Sequence, residues 1–147
     1  MEPYNSKNCA IKIQLISNNI GYGPPPNSDD EVEQRLTLTA DGRVWFSTYA
    51  YGVGDGTYQL TGIKRYKLDA SKALCVLSSI SQYFYKQFTP CFATDIGDWT
   101  LRISTEDGSI SHFRGSLCAN YEVNGVDLSD LLRNSLGIAS LWGFKGV

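Results

Sequence analysis

The chain contains a single histidine, His112, so any mechanism that needs imidazole as acid, base, nucleophile or zinc ligand must run through it. Its neighbours Ser116 and Cys118 stand four and six residues on. In a regular strand that is about 13 and 20 Å away, far beyond the roughly 2.6–3.2 Å that a nucleophile and its base require. Close cysteine pairs are missing as well. Cys9, Cys75, Cys91 and Cys118 follow one another at separations of 66, 16 and 27 residues, which supplies none of the short ligand spacings of structural zinc. They read as four reduced thiols rather than a disulfide framework. Together with an N-terminus, Met1 to Asn8, that has no basic segment leading into an apolar run, this points to a cytoplasmic protein.

Other absences narrow the field further. No apolar run approaches the ~20 residues that span a bilayer. Neither sign of charge dominates: 13 basic and 15 acidic residues give a net charge of −2, and residues 1–68 carry seven of each sign against six basic and eight acidic in 69–147. No calcium loop is present, and Asp127 and Asp130 are explained by helix capping and the first-turn dipole. Gly52-Val-Gly-Asp-Gly56 has neither the GK[ST] of a phosphate loop nor a helix after it, and Gly115-Ser116-Leu117-Cys118 lacks the spacing of a nucleophile elbow. No catalytic residue, metal or cofactor is assigned.

What is present is a pattern that occurs twice. Leu36 to Phe46 and Leu101 to Phe113 both alternate apolar and polar residues into an Asp-Gly turn, the strongest short hairpin signal. Each is followed by an Asp-capped amphipathic helix: Asp69 before Ala73, Leu77, Ile80, Phe84 and Phe88, and Asp127 before Leu128, Leu131, Leu132 and Leu136, with Gly137 as a left-handed stop. A strand over Cys9 to Leu15 precedes them, and a stiff loop around Pro24-Pro25-Pro26 follows it. Tyr58 to Leu68 reads as a strand with a bulge at Gly62, Asn124-Gly125 as a tight turn, and Leu141 to Phe144 as a final strand or tail. The expected fold is a single α+β domain over residues 1–147. It has a largely antiparallel sheet of six or seven strands with two helices on one face, built from similar halves at 33–88 and 99–137.

Strand alternation then sorts the side chains. If Leu36, Leu38, Val44, Phe46, Leu101, Ile103, Phe113 and Leu117 face the helices, then Arg35, Thr37, Arg43, Trp45, Tyr49, Arg102, Ser104, His112 and Arg114 face away. Trp, Tyr and Arg are the residue types enriched at binding hot spots. The candidate partner-binding set is Arg43, Trp45, Tyr49, Tyr51, Arg102, His112 and Arg114, the Tyr-Gly loop extending it. The competing arrangement covers Trp45 and Tyr49 with the N-terminal segment, the proline loop or the tail around Trp142, which would make this face a second small core.

Three functions follow. The leading one is a non-enzymatic protein-interaction module, such as a small inhibitor or antagonist carried by a mobile element against a host enzyme. A second uses the same Arg and aromatic face to bind single-stranded nucleic acid, against which the overall acidity and the lack of an RNP-type motif weigh. A third is a small hydrolase-type enzyme in which folding brings a carboxylate or thiol, from Asp95, Asp98, Glu122 or a cysteine, to His112.

Overall fold

A computed structural model describes residues 9–21, 24–53, 57–93 and 96–145; Met1 to Asn8, Gly54 to Gly56 of the Tyr-Gly loop, and Asp95 lie outside the described residues. The chain forms one α+β domain in the order β1 (Ala10–Asn18), β2 (Glu31–Thr39), β3 (Arg43–Ala50), β4 (Gln59–Lys67), α1 (Ala70–Lys86), β5 (Asp98–Thr105), β6 (Ile110–Ser116), β7 (Glu122–Val123), β8 (Val126–Asp127) and α2 (Leu128–Leu136). Six strands make one sheet in the order β4-β3-β2-β1-β5-β6, and β7 and β8 form a two-stranded ribbon. Every pairing is antiparallel.

Both main hairpins turn by the same local chemistry. In the first, Thr39 and the Arg43 amide donate to the Asp41 carboxylate, and Gly42 adopts φ 97°. In the second, Thr105 Oγ1 and the Ser109 amide donate to Asp107 Oδ1 at 2.8 and 2.9 Å, and Gly108 adopts φ 87°. The aspartate closes the turn through its side chain while the glycine supplies the left-handed residue. At Gly42 a side chain is excluded twice over, since a Cβ would lie 2.2 Å from the Leu68 carbonyl oxygen.

The strands alternate as expected except at the start of β1, where a register shift between Ala10 and Lys12 buries Ala10 and leaves Ile11 40% exposed, reversing the parity expected there. Ile13, Leu15, Leu36, Leu38, Val44, Phe46, Leu101 and Ile103 are buried on one face, under Ala73, Val76, Leu77, Ile80 and Phe84 of α1 and Leu128, Leu132 and Leu136 of α2. Phe84, Trp99, Phe113, Tyr121 and Phe144 close one end of this core edge to face. Gly115 stands opposite Trp99 across the β5–β6 pair, where a Cβ would come within 2.9 Å of the indole. Glycine there leaves room for the ring.

Two further expectations need correction. β1 runs on to Asn18 rather than ending at Leu15, because the polar core-side Ser17 is 1% exposed and donates to the Gly143 carbonyl at 2.7 Å. Asp69 occupies the position before α1 but makes no side-chain cap; its carboxylate instead accepts from the Ser71 hydroxyl at 2.7 Å. Asp127 does cap α2, accepting from the Asp130 amide, and Gly137 ends it at φ 70°. Of the two forms expected for Leu141 to Phe144, strand or tail, the segment takes the turn-rich tail, held by side chains rather than by a ladder. The β4 irregularity falls between the pairs Thr48–Gly62 and Tyr49–Leu60, next to the glycine that suggested it.

Candidate functional site

Strand parity and register place the sequence-derived residues on the sheet face that the helices leave open. Arg65, Trp45, Thr37, Gln14, Arg102 and His112 stand in one row across all six strands, each paired with the next. At ~4.8 Å per strand this row is about 24 Å wide. The row beside it toward the hairpin turns carries Lys67, Arg43, Thr39, Lys12 and Ser104. On the other side come Ile63, Ser47, Arg35, Ile16, Thr100 and Arg114. The last row holds Leu60, Tyr49, Glu33, Asn18 and Asp98.

Seven of the chain's 13 Lys and Arg side chains therefore share one sheet face: Lys12, Arg35, Arg43, Arg65, Lys67, Arg102 and Arg114. Two carboxylates, Glu33 and Asp98, share it, both in the row farthest from the hairpin turn of β2 and β3. A chain of net charge −2 thus presents a strongly cationic surface.

Several of these cations are held in place. The Arg65 guanidinium lies over the Trp45 ring at 4.6 Å and that of Arg35 over Tyr49 at 4.4 Å. Arg35 Nε also donates to Glu33 Oε2 at 2.7 Å, and Arg43 Nε to Asp41 Oδ2 at 2.9 Å. Hydrogen bonding from Thr39, helped by Arg43, holds the Asp41 carboxyl below the usual range. Lys12, Lys67 and Arg102 have no carboxylate partner among the described residues. A guanidinium over a ring keeps N–H donors free to meet a carboxylate or phosphate.

Trp45 is 51% exposed. It walls an open depression of about 550 Å³ together with Lys12, Thr37, Arg43, Arg65 and Lys67. Among the described residues no carboxylate lines this depression.

The C-terminal tail does not cover Trp45, because it packs on the other face of the sheet. The Trp142 amide donates to Gln34 Oε1 at 2.8 Å, Gln34 Nε2 donates to the Ser140 carbonyl at 2.9 Å, and the Phe144 amide donates to Ser129 Oγ at 2.9 Å. Gln34 and Ser17 are on the helix side, so these bonds commit residues 140–144 to that side.

The other predicted residues fall around this surface. Tyr49 is half-buried, its hydroxyl accepting from Ser47 at 3.2 Å. Tyr51 follows the end of β3, its ring 6.5 Å from that of Tyr58, whose hydroxyl accepts from Asn18. Arg114 is exposed at the β6 edge, 5.7 Å from the Phe92 ring. His112 is exposed and lies across from Arg102; Asp98 is four residues along β6, opposite Ser116. The register thus sets the Arg102 guanidinium beside the imidazole.

Lys12, Arg65 and Lys67 were not in the sequence-derived set. Lys12 alternates with Ile11 and Ile13, but β4 is polar on both sides, so alternation alone did not say which of its cations shared a face with Trp45. Among the described residues no group of three or more histidine, cysteine or carboxylate side chains could hold a metal ion, and no helix is long and apolar enough to cross a membrane. Comparison with known proteins finds no matching family model, no matching curated protein and no matching solved structure.

Proposed function

We propose that this chain is a non-enzymatic interaction module that acts in the cytoplasm as an antagonist of a larger protein, docking an acidic surface of that protein on its open sheet face. The observation that carries this reading is the gathering of seven cations around exposed Trp45 on one face of an otherwise acidic chain. Trp and Arg are the side chains that most often dominate binding energy, and a row of basic groups steers and orients a carboxylate-bearing partner.

A protein surface fits this face better than unpaired bases do. Single-strand binders stack successive bases on free aromatic rings. Here Tyr49 is half-buried beneath Arg35, and one face of Trp45 is already taken by Arg65. The cation count is the feature that favours nucleic acid, and the same experiment separates the two.

The test is capture from lysate with wild-type chain and with Trp45→Ala and Arg114→Glu, each first shown to be folded, with bound protein and nucleic acid both identified. The two positions stand on β3 and β6, about 19 Å apart at ~4.8 Å per strand, so they probe both ends of the face. The expected result is a protein with an acidic surface whose affinity falls by about 2 kcal/mol in either variant, roughly 30-fold. That affinity should also weaken between 50 and 200 mM salt, as screened charges do. A partner that binds both variants unchanged refutes the assignment of the face. Nucleic acid lost with the variants replaces the protein reading with the single-strand one.

A further inference from the structure

Two cysteines separated by 27 residues come together beyond the end of β6. Cys91 Sγ and Cys118 Sγ are 3.2 Å apart, and both residues are exposed. The approach does not depend on the sulfurs alone. The Ser116 amide donates to the Cys91 carbonyl at 2.9 Å, the Ala93 amide donates to Ser116 Oγ at 2.8 Å, and that hydroxyl donates back to the Ala93 carbonyl at 3.3 Å. Residues 91–93 are thus strapped to the end of β6 by backbone-directed bonds, and the strap carries one thiol while the chain after β6 carries the other. Cys9 is half-buried and Cys75 sits on α1 away from this strap.

We propose that Cys91 and Cys118 form a reversible intramolecular disulfide by exchange with a low-molecular-weight disulfide such as oxidised glutathione. One protein thiolate attacks a sulfur of the small disulfide, which gives a mixed disulfide and releases one small thiol. The second protein thiolate attacks the protein-side sulfur of that mixed disulfide, forming the Cys91–Cys118 bond and releasing the other small thiol. Two protein thiols lose two electrons and two protons, and one small disulfide gains them to become two thiols.

The hydrogen bond to Cys91, with burial and the neighbouring sulfur's charge behind it, raises the Cys118 thiol above its usual range. A cytoplasmic disulfide of this kind is transient and regulatory rather than structural. The bond would clip a strap whose Phe92, 61% exposed, sits against Arg114 at the corner of the cationic face. The chemistry is nevertheless independent of what that face binds.

The full chain is equilibrated across buffers of reduced and oxidised glutathione, quenched by alkylation, and read by intact mass and peptide mapping. Wild type and a Cys9→Ser/Cys75→Ser variant should lose the mass of two hydrogen atoms, with the peptides carrying residues 91 and 118 joined and the bond reversed by a reducing dithiol. Cys91→Ser and Cys118→Ser should each stop at a mixed disulfide with glutathione on the remaining thiol. Wild type that stops at the mixed disulfide, or that joins either residue to Cys9 or Cys75 instead, overturns the proposal.

Discussion

Gln34 decides which side of the sheet the C-terminal tail occupies, and replacing it by Leu tests that role. Its side chain is 1% exposed yet fully engaged: Nε2 donates to Glu31 Oε2 at 2.8 Å and to the Ser140 carbonyl at 2.9 Å, while Oε1 accepts from the Trp142 amide at 2.8 Å. Leucine has similar bulk but leaves the buried Trp142 N–H without a partner and breaks the part-buried bonds to the Ser140 carbonyl and the Glu31 carboxylate, together about 4 kcal/mol. The added apolar contact returns about 1 kcal/mol. The net expected loss is therefore about 3 kcal/mol, a large share of the roughly 5–15 kcal/mol by which a domain of this kind is stable. It corresponds to a fall in melting temperature of about 10 °C. Thermal unfolding followed by circular dichroism gives the magnitude, and amide hydrogen exchange at Trp142 gives the location. Thr37→Val, on the same strand but facing the open side, is the control and should stay within about 0.5 kcal/mol of wild type. A Gln34→Leu loss below about 1 kcal/mol with Trp142 still protected would show that apolar packing of Leu141, Trp142 and Phe144 positions the tail without the amide.

The two helix starts should respond differently to the same change. Asp127→Ala removes a formed cap and should cost about 1 kcal/mol, whereas Asp69→Ala removes none and should cost only a few tenths by denaturant unfolding; equal losses would mean that Asp69 caps α1 in solution. Tyr121, 3% exposed, has a hydroxyl with no hydrogen-bond partner among the described residues. Tyr121→Phe should then raise stability by about 1 kcal/mol at neutral pH. Burial, then the charges of Tyr83 and the thiols, pushes the Tyr121 phenol up to about 12, against a small lowering by the Trp99 indole. The native state thus holds this proton more tightly than the unfolded chain, whose phenol titrates near 10. Its contribution is complete below pH 10 and is lost as pH rises towards 12. Unfolding free energies measured from pH 8 to 11.5 should fall more steeply for wild type than for Tyr121→Phe, and parallel curves would refute the assignment.

The fold could be read from the sequence because its signals are local. The Thr-x-Asp-Gly turns, the alternation of Leu36/Leu38 and Leu101/Ile103, and the stripe from Ala73 to Phe84 each lie within a few residues, and each fixes one element and its buried face. The misses occur where a distant residue overrides the local rule. The first strand, expected to end at Leu15, continues to Asn18 where the distant Gly143 carbonyl accepts the Ser17 hydroxyl. Asp69 carries a strong capping preference but is diverted by Ser71, two residues away. For the candidate site, the Trp45, Arg102 and Arg114 side of the sheet followed from parity alone. The proximity of Cys91 to Cys118 did not, because a 27-residue separation says nothing until β6 and the strap are placed.

The charge of this face could not be read from the totals either, and the reason bears on how a partner would find it. Counting along the chain gives a near balance in each half, because strands interleave cations on one face with apolar residues on the other while the carboxylates collect in turns, loops and helix ends such as Asp29, Asp41, Asp107 and Asp130. Folding separates the two signs in space without separating them in sequence. At physiological ionic strength the screening length is about 8 Å, shorter than the ~24 Å width of the sheet. A partner that has come within contact range of Trp45 therefore experiences chiefly the cations nearest it, Lys12, Arg43, Arg65 and Lys67, and little of the carboxylates on the helix side. At low salt the screening length grows to about 30 Å, and the net charge of −2 enters the encounter as well. On the proposed docking reading, the local face rather than the isoelectric point sets which surfaces are accepted.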